Sequence, residues 1–199
     1  YCPDFQRQRL ADLICKEQQI VGLAVAEAGR TAVDPLKTEA RPQPDGGFVV
    51  HGDKIYTTGA AEADQIATWA WNAAEALEDN PARGMQMILI PKDTPGVDIK
   101  RDWNALGQRA TDSGSISFTE VACPPEWVGS VPGEAPLLQS SLRYQAGFCA
   151  ILCGIGIGAL NAAVPYINTR SRPWAQSGVS SATEDPMILR TCGELASDL

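Results

Sequence analysis

Tyr56, Thr57 and Thr58 put an aromatic ring and two hydroxyls on consecutive residues of a short run, Ile55 to Thr58, built from types that extended strands favour. An aromatic face can wall a planar ligand while a hydroxyl hydrogen-bonds its edge. Because alternate strand residues face opposite ways, only one of the two threonines can reach a ligand on a given face. Strand propensity by itself accounts for the pair of threonines equally well. Arg172, in Ser171-Arg172-Pro173-Trp174, carries a rigid fork of donors suited to phosphate oxygens. Read alone, it is more often a helix-end or packing residue, and Trp174 is either core or an aromatic wall.

Other chemistries have less to work with. A lone histidine, His51, sits in an expected turn and cannot complete a Ser/His/Asp arrangement. Six cysteines contain no CxxC pair, so no metal site is expected and the thiols read as reduced and intracellular. Gly154, Gly156 and Gly158 follow no strand, which favours close helix packing over a dinucleotide loop. Glu120 and the pair Glu184-Asp185 read as carboxylates at strand ends and caps. A net charge of −8 disfavours nucleic acid or an anionic membrane as partner.

The elements that must position these residues fall into three blocks. Residues 1–20 read as the end of an N-terminal helical domain, with Leu10, Leu13 and Ile14 at helical spacing. Residues 21–129 are short apolar or alternating runs broken by turn residues, and read as a β-domain of about seven strands. Within it, Phe48–Val50 and Ile55–Thr58 are expected to pair as a hairpin around His51-Gly52-Asp53-Lys54. Asn72 to Arg83 reads as an exposed excursion. Residues 130–199 open with a Gly/Pro linker and continue as a long apolar helix, expected to kink at Pro165. Gly147 to Val164 is long enough to cross a bilayer, but its glycines and alanines suit a tightly packed, buried bundle helix. A later helix opens at Asp185-Pro186, with Ile188, Cys192, Leu195 and Leu199 on one face. Helix, β-domain, helix is an α+β order.

Three segments together resemble one family. They are Gly52-Asp53-Lys54-Ile55-Tyr56-Thr57-Thr58-Gly59-Ala60 with Ala63-Asp64; Trp103 to Gly114, reading WNALGQRATDSG; and Ser171-Arg172-Pro173-Trp174 with Ala182-Thr183-Glu184-Asp185-Pro186. The chain is similar over Val21 to Leu199 to the acyl-CoA dehydrogenase superfamily, and in detail to its branch of dibenzothiophene monooxygenases and sulfur-acquisition oxidoreductases. The resemblance implies a central β-barrel that cradles a flavin, flanked by helical segments and truncated at both ends. It implies Tyr56, Thr57 and Thr58 along the isoalloxazine, with Thr58 the candidate near N5. Val25 and Ala26 would contact the flavin through backbone groups, since Ala26 stands where many relatives carry Ser or Thr. Arg172 resembles the arginine that reaches the flavin phosphate of a neighbouring subunit, and Trp174 lies beside it.

The resemblance further implies a cytoplasmic enzyme, a homotetramer, that takes reduced FMN from a separate flavin reductase. With O₂ it would oxidise a sulfur or nitrogen atom of a small organic substrate, excluding water meanwhile. The Gly-Ser-Asp that helps seat a CoA thioester in many dehydrogenases is replaced around Gly29-Arg30-Thr31. An FAD-dependent acyl-CoA dehydrogenase or oxidase is the alternative enzyme, its base lying beyond Leu199. A non-catalytic relative that assembles through Phe148, Ile151, Ile155 and Leu160 is the alternative of another class.

Overall fold

A computed structural model describes residues 4–31, 34–131, 133–135 and 138–198, with side chains from 142 in the last stretch. The chain divides into two compact units, Tyr1–Pro136 and Leu137–Leu199.

The first unit holds a helix, α1 (Asp4–Cys15), and seven strands: β1 (Val21–Ala24), β2 (Glu39–Pro42), β3 (Phe48–Lys54), β4 (Gln65–Trp71), β5 (Met85–Pro91), β6 (Val97–Lys100) and β7 (Ser115–Cys123). They join as one sheet in the order β1-β4-β2-β3-β7-β6, with β5 added against β4, and the sheet curls into a half-barrel. Alternation explains the strands. Ile66, Thr68 and Ala70 of β4 point inward with Ile88 and Ile90 of β5, and Ile116 and Phe118 of β7 close the same core. Helix α1 lies in this unit too: the Gln6 side-chain amide donates to the Glu126 carbonyl at 2.8 Å, and Leu13 is buried.

The expected hairpin around residues 51–54 is not formed. β3 runs on through His51 and Gly52 to Lys54, paired with β2 on one side and β7 on the other. Gly52 marks a close backbone approach instead of a reversal. Its φ is +143°, and a Cβ there would lie 2.6 Å from the Thr38 Cα. His51 is therefore a strand residue. Opposite it β7 carries an extra residue, so the register shifts between Val50 and Gly52, and Glu120 takes φ +52°. The Glu120 carboxylate pairs there with Arg41 and, at 3.2 Å, with the His51 Nδ1.

The second unit holds α2 (Leu138–Thr169) and α3 (Pro186–Asp198). α2 continues through Pro165, and its residues Leu142–Thr169, which include an 18-residue window of mean hydropathy 2.0, are long and apolar enough to cross a membrane by length and composition. The expected burial of this stretch is not met: Phe148, Ile151 and Ile155 are all exposed. Within the unit, Leu160, Ala163 and Ile167 of α2 face Ile188, Cys192 and Leu195 of α3 across a groove of about 450 Å³.

The start of α3 follows the expected cap-then-proline order. Buried Asp185 accepts from the Met187 backbone N–H at 2.9 Å and from the Trp174 backbone N–H at 3.2 Å. Asp185→Ala removes both acceptors and is expected to lower stability by about 1–2 kcal/mol in urea unfolding, with Asp185→Asn recovering most of it. Equal stability of the alanine variant and the parent would contradict the capping role.

Candidate functional site

Beyond Lys54 the chain leaves the sheet. The Ile55 N–H donates to the Ala26 carbonyl at 2.9 Å, and the following residue, Tyr56, adopts φ +54°. Tyr56 and its threonines therefore lie in a loop past the strand, a correction to the expected strand placement. A bulky residue with positive φ is uncommon and costs energy, so surrounding contacts must hold it there. Those contacts are visible. Thr57 is buried, and both its N–H and its hydroxyl donate to the Gly114 carbonyl, at 3.0 and 2.8 Å. The Gly59 N–H donates to the Thr111 carbonyl at 3.2 Å.

The consequence is that Thr57 points in while Tyr56 and Thr58 face out. Tyr56 is 63% exposed, and its ring meets Trp103 edge-on with centroids 5.8 Å apart. Trp103 is held in turn by its indole N–H, which donates to the Gln108 carbonyl at 2.7 Å. Exposed Thr58 is 2.9 Å, Oγ1 to Oγ, from buried Ser113. Ser113 is 2.8 Å from Thr111 Oγ1, whose own hydroxyl donates to the Gln108 carbonyl at 2.9 Å. The structure thus brings Tyr56 and Thr58 together with Trp103, Thr111 and Ser113, partners that the sequence offered only as a motif.

Val25 and Ala26 follow β1 outside any regular element, Val25 half-buried and Ala26 exposed. Next to them lies a feature that sequence reasoning passed over. Lys54 is fully buried, and its Nζ lies 2.7 Å from Glu27 Oε1 and 3.4 Å from the Val25 carbonyl. Glu27 also accepts the backbone N–H groups of Lys37 and Thr38, at 2.7 and 3.0 Å. Burial alone would raise the Glu27 pKa, but the Lys54 ammonium and the two peptide donors outweigh it and hold the carboxyl at about 2. Strand alternation was the available signal: Phe48, Val50, Gly52 and Lys54 share the inward face, so the lysine needs a buried carboxylate.

In the second unit, Arg172 and Trp174 line a pocket of about 710 Å³ with Ser177, Asp185, Met187 and Ile188. Trp174 is 73% exposed, so it lies at the surface of this unit and not in a core. No group of three or more His, Cys, Asp or Glu poised for a metal occurs among the described residues.

Residues 22–121 match the family described as acyl-CoA dehydrogenase, middle domain. Dibenzothiophene monooxygenase of Rhodococcus erythropolis is 34% identical over 198 residues, covering 95% of this chain and 46% of that protein. A probable FMNH2-dependent monooxygenase, SfnC of Pseudomonas putida, is 32% identical over 167 residues, 82% of this chain and 41% of its own. The crystal structure of FMN-bound TdsC from Paenibacillus sp. A11-2 superposes with a TM-score of 0.73 at 31% identity, over 99% of this chain and 50% of that one. The chain spans half or less of the length of each of these relatives.

Proposed function

The chain belongs to the acyl-CoA dehydrogenase family, and from that membership we propose that it serves a two-component monooxygenase supplied with reduced FMN by a separate flavin reductase. The acceptor is a sulfur or nitrogen atom of a small organic molecule. Relatives named for dibenzothiophene, for FMNH2 dependence and for amino sugar nitrososynthesis support this class of reaction. Reduced FMN, when bound, supplies the electrons that activate O₂.

The observation that carries the reading is the placement of Tyr56 and Thr58: an exposed aromatic face and an exposed hydroxyl, both braced from behind by Trp103 and Ser113. These residues fit a flavin ring. Tyr56 offers a wall, Thr58 a hydrogen-bonding oxygen at the ring edge, and the Val25–Ala26 peptides further polar groups. Arg172 would reach the flavin phosphate of a neighbouring subunit, with Trp174 beside it, in a homotetramer within the cytoplasm. An acyl-CoA substrate is less well served. Where a thioester would be seated, the Thr31 hydroxyl is taken up by Asp34 at 2.7 Å and the Arg30 guanidinium by the Pro35 carbonyl at 3.1 Å.

The test is oxygen transfer. Given chemically reduced FMN, ¹⁸O₂ and a panel of thiophenes, sulfides and amines, the protein is expected to place labelled oxygen on sulfur or nitrogen, read by mass spectrometry. Stoichiometric peroxide with no labelled product across the panel would count against it. Bleaching of a tightly held FAD by acyl-CoA would replace it with the dehydrogenase reading.

A further inference from the structure

The hydroxyls behind Thr58 form a chain whose direction is set at its far end. The Gln108 carbonyl can only accept, so the Thr111 hydroxyl spends its one hydrogen there, at 2.9 Å. Thr111 Oγ1 is then an acceptor towards Ser113, and Ser113 donates to it at 2.8 Å. With that hydrogen committed, Ser113 accepts from Thr58 across 2.9 Å. Reversing the order would turn the Thr111 hydroxyl inward and forfeit its bond to the carbonyl. Thr58 therefore sends its hydrogen into the protein and presents only lone pairs outward.

We infer that Thr58, polarised by Ser113 and Thr111, is a hydrogen-bond acceptor that selects the reduced form of the flavin over the oxidised form. The inference rests on the flavin reading above and on Thr58 facing the central-ring nitrogen. That nitrogen carries a hydrogen in the reduced isoalloxazine and only a lone pair in the oxidised one. An acceptor matches the first and opposes the second. Ser113 and Thr111 are positioning residues here, since they touch no ligand and act through Thr58. For a protein supplied with reduced flavin by diffusion, such polarity favours capture of the reactive form and release of the spent one.

The experiment compares dissociation constants of oxidised FMN, by fluorescence titration in air, and reduced FMN, by anaerobic titration, for the parent protein and three variants. The parent is expected to bind reduced FMN at least about tenfold more tightly, the order a single well-placed hydrogen bond allows. Ser113→Ala frees the Thr58 hydrogen to point outward. It is expected to shrink the ratio about tenfold, equivalent to lowering the potential of the bound flavin by about 30 mV for two electrons. Thr111→Val is expected to move the ratio in the same direction by less. Thr58→Val removes the acceptor and is expected to weaken the reduced form alone, which keeps the test open should Ser113→Ala fold poorly. A parent that binds both forms equally, or a Ser113→Ala ratio equal to the parent's, overturns the inference while leaving flavin binding intact. A parent that binds neither form overturns the flavin reading itself.

Discussion

Lys54→Met is expected to destabilise the protein by about 3–5 kcal/mol, the cost of stranding one charge of a buried pair. Glu27 would then keep only the Lys37 and Thr38 peptide donors to satisfy a carboxylate that is almost wholly out of water. Removing both charges, as Glu27→Gln with Lys54→Met, is expected to recover most of the loss, because the penalty lies in the unpaired ion and not in the missing attraction. The pair also sets an acid limit. The folded pKa of Glu27, about 2, lies below the ordinary glutamate value of 4.5, so the stabilisation is present in full above pH 4.5 and fades as pH falls through 2. The difference corresponds to about 3 kcal/mol. Urea midpoints measured between pH 6 and pH 2 should fall steeply for the parent and less steeply for Glu27→Gln. A Lys54→Met protein within about 1 kcal/mol of the parent at pH 7 would show that water reaches the pair after all.

The ion pair shows where sequence reading stops. The alternation in Gln65–Trp71 and Met85–Pro91 and the Asp185-Pro186 helix start are local signals, and the elements formed where those signals stood. Glu27 and Lys54 are 27 residues apart, and each alone looks like a surface charge. Alternation along β3 turns Lys54 inward, but only the fold brings Glu27 to meet it. The same holds for the missed turn: Gly52 has the composition of a reversal, yet β2 and β7 on either side keep β3 extended through it. Short β2, with Pro42 at its end, exists because β3 pairs with it and not because its sequence favours a strand.

At the candidate site the legible part was the list of residue types, and the illegible part was their direction. Tyr56 and Thr58 were singled out from the sequence, and both lie at the surface of the first unit. That Thr57 turns inward follows from the Gly114 carbonyl, 57 residues away, which takes both of its donors. The hydroxyl chain likewise joins residues 58, 108, 111 and 113, so its polarity depends on a loop closure that no periodicity encodes.

Gly114→Ala is the sharpest test of that closure. A Cβ at Gly114 would lie 2.1 Å from the Lys100 carbonyl oxygen and 2.8 Å from the Asp102 Oδ1, so it has no room without backbone movement. Neither neighbour yields easily. Lys100 pairs with Ser115 where β6 meets β7, and the Asp102 carboxylate accepts the Ser115 N–H at 2.8 Å. If β7 shifts instead, the Gly114 carbonyl leaves Thr57, the buried anchor that turns Tyr56 and Thr58 outward. The variant is therefore expected to lose about 2–3 kcal/mol of stability and, on the flavin reading, at least about tenfold in FMN affinity, roughly the worth of one displaced hydrogen bond. Gly107→Ala supplies the contrast, since nothing lies within 4 Å of its Cβ and only its φ of +74° resists the change. That substitution is expected to cost about 1–2 kcal/mol and to leave FMN affinity near the parent's. Urea unfolding and FMN titration of the two variants side by side measure the difference. Equal losses of affinity in both would mean that the loop tolerates displacement at Gly114, and that Thr57 does not set where Thr58 points.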